Sequence, residues 1–409
     1  MLTDIVDTKC GRIVGLKREH DNAFLGIRYA TAERFSAPKT VKSWEGVYEA
    51  TKFGSCCPQQ RAYFDEAAFK NPFYYKEFRQ GLEFSYDEDC LFLNIFAPKK
   101  AVNAPVVIYI HGGNFTKGSG DEKPFDGEEY AKRGVIFVSL NYRLNVFGFF
   151  ADGQNARGNF ALYDQLAAID WIRENIAAFG GNPDAITLMG QSAGAMSVQS
   201  LICSRLAKGK IKRAIMLSGG GVRKLILKEK KPNEKFWRGV MKKSGAKSFD
   251  EFKRMHAKDV YLAWQNSSPV KSLFATAPTV DGKIISRASD TPSVPCIIGR
   301  VKKDMFPPEL AAMGRRYAKV QSKNNVPCYL YEFSHPLKGD DRGTFHSADL
   351  WFAVGALKRS WRPFDKEDYD LSSEMIDRFC AFIGGDSPNS PKYKRVWKAY
   401  KDKDDEFKF

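Results

Sequence analysis

Six short runs of apolar, largely β-branched residues limit what this chain can fold into: Val106–Ile110, Val135–Leu140, Ala185–Met189, Ala214–Leu217, Pro295–Ile298 and Cys328–Phe333. Each is nearly continuous in apolar character, and strands of that kind belong in a parallel sheet covered on both faces. Between the second and third runs, Phe160 to Phe179 carries Leu162, Leu166, Ile169, Ile172 and Ile176 at helical spacing and stops at Gly180-Gly181-Asn182-Pro183. That pattern predicts a crossover helix with a defined end. The fold class is therefore α/β, a mostly parallel central sheet with helices on both faces. No fixed-period repeat, low-complexity tract or boundary demands a split, so 1–409 is read as a single domain.

With 43% hydrophobic and 13% aromatic residues, disorder is excluded as the main state. The formal charge of +16 is densest in Arg223 to Lys258 and in the tail Lys392 to Lys408, with Glu and Asp mixed in. No aromatic-basic nucleic-acid signature accompanies it, so a solvated basic surface is expected and no nucleic-acid partner. Met1 to Asp7 has no basic segment followed by an apolar stretch, and no run approaches a membrane span. The expectation is a soluble, cytoplasmic protein, or a secreted one whose leader has been removed. Eight cysteines are too sparse for a disulfide-built scaffold, and no Cys/His spacing suggests a metal site. No metal or organic cofactor is expected.

Gly190-Gln191-Ser192-Ala193-Gly194 sits between the run Ala185–Met189 and a helix-like stretch from Ala195 to Ile202. A serine on a sharp strand-to-helix turn needs small residues two before and two after it, and the glycines supply them. Ser192 is the candidate nucleophile. Upstream, His111-Gly112-Gly113-Asn114-Phe115 follows the run Val106–Ile110 directly. Backbone N–H groups converge on a developing oxyanion only where side chains leave room. The N–H groups of Gly113, Asn114 and Ala193 are the candidate donors.

Several further motifs carry a resemblance that runs nearly end to end. They are Phe24-Leu25-Gly26-Ile27-Arg28-Tyr29-Ala30, Arg34-Phe35, Asp87-Glu88-Asp89-Cys90-Leu91-Phe92-Leu93-Asn94, Asn141-Tyr142-Arg143, Gly180-Gly181-Asn182-Pro183 and Phe382 to Asn389. With the two glycine-rich turns, they resemble the type-B carboxylesterase and cholinesterase family. The resemblance implies an α/β-hydrolase sheet, a Ser-Glu/Asp-His triad and an oxyanion hole. It places the base at His346, in Gly343-Thr344-Phe345-His346-Ser347-Ala348-Asp349, after Cys328–Phe333, and the acid at Asp304, after Ile298-Gly299, in preference to Asp349 or Glu309. It also implies structural ion pairs Arg143 with Asp164 and Arg34 with Glu88, and a disulfide between Cys57 and Cys90 around an aromatic loop.

Three departures qualify the substrate. Cholinesterases carry Glu before the nucleophile; Gln191 stands here and argues against a choline ester. Asn114 replaces the third glycine of the family's commonest oxyanion run. The region after Ser218 reads as trimmed, which predicts a more open pocket. Asn114-Phe115-Thr116 also matches an N-glycosylation pattern, and a glycan there would obstruct the pocket, which suits a bacterial-type history. Phe115, Gln191, Trp351, Phe352 and the Phe64 to Phe84 loop are candidate pocket residues. The function expected is hydrolysis of short-chain acyl or aryl carboxylic esters through an acyl-enzyme, with a small-molecule ester as partner. The alternatives are a hydroxycinnamoyl (feruloyl) esterase and, from another class, a non-catalytic binding protein on the same fold.

Overall fold

A computed structural model describes residues 1–70, 72–221, 233–267, 275–286, 294–385 and 387–409. Among these residues one ten-stranded sheet organises the chain. Its strands are β1 (Leu16–Lys17), β2 (Asp21–Arg28), β3 (Phe92–Pro98), β4 (Ala104–Ile110), β5 (Ile136–Leu140), β6 (Gly181–Gln191), β7 (Arg213–Leu217), β8 (Cys296–Val301), β9 (Cys328–Phe333) and β10 (Phe407–Lys408). They lie in the order β10-β9-β8-β7-β6-β4-β5-β3-β2-β1. Neighbours from β10 across to β5 are parallel, and β3, β2 and β1 add an antiparallel edge. Five helices matter below: α1 (Phe73–Phe78), α2 (Phe160–Asn175), α3 (Ala193–Ile202), α4 (Leu350–Val354) and α5 (Lys366–Gly384).

The strand side chains alternate between two cores, as a pleated ribbon requires. Val106, Ile108 and Ile110 of β4 pack with Leu162, Leu166, Ile169 and Ile172 of α2. Val107 and Tyr109 face the opposite side, with Trp351 of α4 and Phe379 and Phe382 of α5. Both faces are covered, which is why the central strands read as continuous apolar runs. The α/β expectation holds, and each of the six runs overlaps one strand.

The differences are local. The helix expected over Phe160 to Phe179 is α-helical to Asn175 and tightens into a 3₁₀ turn over Ile176–Phe179. It ends at Gly180, whose φ of 80° and 2.1 Å clearance between an added Cβ and Ala101 O admit no side chain. Strands β2 and β3 come from segments the runs did not single out. Asn94 interrupts the apolar character of β3, yet it is buried: its Oδ1 accepts from Gly26 N (2.9 Å) and its Nδ2 donates to Ser139 Oγ (3.1 Å), tying β3 to both neighbours. The ion pairs Arg143–Asp164 (2.6 Å) and Arg34–Glu88 both form. Of the first basic stretch, residues 223–232 lie outside the described residues, as does part of the trimmed region after Ser218. Among the described residues no helix is long and apolar enough to cross a membrane.

Candidate active site

Parallel strands end along one edge of the sheet, and four of those ends carry the candidate residues. Ser192 follows β6 and precedes α3, with φ 55° and ψ −120°, and its N–H donates to Leu217 O of β7 at 2.8 Å. A non-glycine residue in that conformation stores about 1–3 kcal/mol of strain, held by its surroundings. The flanking glycines are required sterically: a Cβ on Gly190 would lie 2.6 Å from Gly194 O, and one on Gly194 would lie 2.0 Å from Ile110 O. Ser192 is half-buried.

The loop after β4 is held just as tightly. Gly113 has φ 101°, and an added Cβ would sit 2.0 Å from Lys117 O. Asn114 and Phe115 follow at φ 57° and 60°. Asn is among the few side chains that visit the left-handed region readily, and here it is exposed, leaving its N–H on the loop. Gly113 O accepts from Lys117 N (3.1 Å), and buried Gln59 pairs with Gly118 in both directions (3.0 and 2.9 Å). Ala193 opens α3, so its N–H is one of the donors a helix start leaves without an intrahelical partner. Phe115 is enclosed against Phe149 (5.2 Å, edge-on) and belongs to the core.

His111 anchors this loop from behind. It is buried and stacked on Tyr142 (4.4 Å between ring centres), and its Nδ1 meets Gly112 O at 2.8 Å. Burial pushes its pKa down from 6.5 to about 4. The unfolded chain therefore takes up a proton before the folded one as pH falls, and stability is lost between about pH 6.5 and 4. At about 1.4 kcal/mol per pH unit the loss down to about pH 4.5 is about 3 kcal/mol. Asp349 acts oppositely. Burial raises its carboxyl to about 7, so the folded state holds that proton and gains stability as pH falls. The test is therefore differential: in urea unfolding at pH 7 and pH 4.5, His111→Gln should lose less stability on acidification than the unmutated protein by about that amount. Equal losses would refute a buried neutral His111.

Asp304 follows β8, and His346 lies on the loop after β9. His346 Nδ1 meets Asp304 Oδ1 at 2.5 Å, while Val301 N and Met305 N donate to the same carboxylate (3.1 and 2.8 Å). The Asp304 side chain is fully enclosed and that of His346 is 13% exposed, so only the imidazole meets the cleft. Burial by itself would raise the Asp304 pKa; the hydrogen bond from His346, with donation from the Ser218 hydroxyl and Val301 N, outweighs it and holds the carboxyl below its usual value. An ionised acceptor there fixes the proton of a neutral imidazole on Nδ1 and leaves a lone pair on Nε2. Nε2 is contacted by Gln191 Nε2 at 3.2 Å. The other two carboxylates do not reach the ring: Glu309 is exposed, and Asp349 is fully buried with its Oδ2 accepting from Tyr331 OH (2.8 Å).

The aromatic residues need correction. Trp351 and Phe352 are fully buried, Trp351 Nε1 donating to Glu77 Oε1 (2.7 Å) and Phe352 packing on Phe333 (4.9 Å). They are core residues because α4 turns its apolar side chains under the sheet. The aromatic surface beside His346 comes from α1, within the Phe64 to Phe84 stretch: Tyr74 OH donates to His346 O (3.2 Å), and Phe73 stands edge-on to Phe345 (4.8 Å). Glu77, one turn on, also accepts from Trp361 Nε1 (3.0 Å) and Arg362 Nε (2.8 Å), clamping α1 to the histidine loop. Tyr74 and Glu77 are three apart and share a helix face, a spacing legible in the sequence. The expected disulfide is not formed: Cys57 and Cys90 are buried free thiols. Cys90 donates to Cys57, and that bond, then burial, pushes its thiol pKa well up.

A parallel-edge site with a strained serine, a His–Asp pair and a glycine-rich donor loop defines the α/β-hydrolase class. The chain belongs to the carboxylesterase family, which it matches over residues 3–315 and 309–408. It is 41% identical to the para-nitrobenzyl esterase of Bacillus subtilis (strain 168) over 228 residues, 54% of this chain and 44% of that one. It is 33% identical to neuroligin-2 of Mus musculus over 324 residues, 69% of this chain and 38% of the relative. The chain thus spans under half the length of these curated relatives. A solved PNB esterase superposes with a TM-score of 0.81 at 26% identity, covering 97% of this chain and 93% of that one.

Proposed function

We propose that this chain hydrolyses carboxylic esters of small acyl or aryl type through an acyl-enzyme, with Ser192 as nucleophile, His346 as base, and Asp304 as the carboxylate that orients it. The observation that carries the reading is the 2.5 Å His346–Asp304 contact on the same sheet edge as the strained Ser192. Ser192 Oγ attacks the ester carbonyl as its proton passes to His346 Nε2. The N–H groups of Gly113, Asn114 and Ala193 receive the oxyanion. The C–O bond breaks, the alcohol leaves with the proton from Nε2, and water activated by the same nitrogen releases the acid. Nothing in the site favours the hydroxycinnamoyl alternative.

The test is hydrolysis of p-nitrophenyl butyrate by the purified protein and by Ser192→Ala, with circular dichroism on both. Turnover by the unmutated protein alone is expected. Two folded, inactive proteins would overturn the reading in favour of the non-catalytic binder.

A further inference from the structure

The nitrogen that must take the proton of Ser192 already has a partner. Gln191 is buried, 3% exposed, and its side chain is wedged between the oxyanion loop and the base. On one side a Cβ added to Gly112 would lie 2.8 Å from Gln191 Oε1 and 3.2 Å from Ser192 Cβ. On the other, the amide nitrogen stands 3.2 Å from His346 Nε2. The donor and acceptor roles follow from Asp304: its carboxylate holds the proton on Nδ1, so Nε2 is a lone pair and the group facing it is the NH₂ of the amide.

We propose that Gln191 is a positioning residue for His346, donating its amide to Nε2 in the resting enzyme so that the neutral, catalytically competent imidazole is favoured. This deepens the esterase reading and rests on it. A hydrogen bond to the neutral form disfavours the charged one. A carboxylate at the same position would instead favour the charged ring. The amide also competes with Ser192 for the lone pair, and substrate entry displaces it. The other groups facing His346 are Asp304 at Nδ1, Tyr74 at its carbonyl, and Asp349 with Tyr331 behind the loop. Lys303, whose N–H donates to Thr344, and Arg342, stacked on Phe73, lie on the flanking turns. All of them are retained when Gln191 alone is changed.

The experiment is the pH dependence of kcat/KM for p-nitrophenyl butyrate in the unmutated protein, Gln191→Glu and Gln191→Met, paired with the His346 titration followed by ¹H–¹⁵N correlation spectra. The chain has only five histidines, which keeps assignment tractable, and the spectra need no turnover. Gln191→Glu should move the acid limb and the imidazole titration upward together by about one pH unit, because an opposite charge within hydrogen-bond reach favours imidazolium. Gln191→Met, of similar shape without the donor, should move both in the same direction by less. Coincident imidazole titrations in all three proteins would overturn the proposal. If the unmutated protein lacks Ser192-dependent turnover, the esterase reading fails, and the spectra still decide whether Gln191 holds the ring.

Discussion

An Asp304→Asn protein is expected to keep its fold and to lose about 10⁴-fold in kcat toward p-nitrophenyl butyrate, against about 10⁶-fold for Ser192→Ala. The size of the first loss comes from the tautomer. The Asp304 carboxylate accepts from Val301 N, Met305 N and His346 Nδ1 at once. An asparagine has one acceptor oxygen for those donors, and its NH₂ turned toward the ring would stabilise a lone pair on Nδ1. The proton then sits on Nε2, and the nitrogen proposed to take the Ser192 proton is no longer a base. Asp349→Asn makes a sharp control, since its carboxyl bonds Tyr331 and does not reach the ring; it should cost less than about tenfold at pH 8, where the chemistry runs on the unchanged His–Asp pair. Asp304→Asn activity within tenfold of the unmutated protein would remove Asp304 from its role, and a large loss in Asp349→Asn would transfer that role to it.

Different parts of this molecule were legible to different degrees, and burial explains the order. Strands β4 to β9 are covered on both faces, so each announces itself as an uninterrupted apolar run. The elbow is legible because the strain at Ser192 leaves no room for side chains at 190 and 194, and glycine is the only solution. The proposed base and acid are another matter. His346 and Asp304 come from loops 42 positions apart, and nothing in either loop alone marks it; only the family resemblance singles them out. Which residues of the aromatic stretch 64–84 meet the histidine loop is less legible, because its contacts are set by buried charges distant in sequence. Arg61 and Arg79 meet Glu122, and Arg362 meets Glu77. Those pairs fix where α1 sits, so Phe73 and Tyr74 stand near His346 while Trp351 is enclosed.

The same dependence on buried charge underlies the largest stability effect expected. Arg143 and Asp164 are joined by three hydrogen bonds, two from the guanidinium (2.6 and 2.8 Å) and one from Arg143 N (3.1 Å), with side chains 3% and 0% exposed, and Arg143 Nη1 also donates to Ser36 O (2.8 Å). Asp164→Ala leaves the guanidinium buried and uncompensated, which costs about 3–5 kcal/mol. Against a typical total of about 5–15 kcal/mol that is a large fraction. The loss should not stay local. Arg143 follows Tyr142, whose hydroxyl holds His111 O (2.8 Å), and Asn141, whose side chain holds Gly120 N (2.7 Å). Loosening that segment slackens the oxyanion loop from both ends, so kcat should fall in the molecules that remain folded. The double variant Arg143→Met with Asp164→Asn separates charge from shape. Removing both charges at similar volume should restore part of the stability, because a neutral pair avoids the desolvation that a lone buried cation suffers and the amide oxygen can still accept from the backbone N–H at 143. Urea unfolding of the three proteins reads this directly. A single variant that costs less than about 1 kcal/mol, the range of an exposed pair, would mean that water reaches Arg143 and that the oxyanion loop is held by its own hydrogen bonds alone.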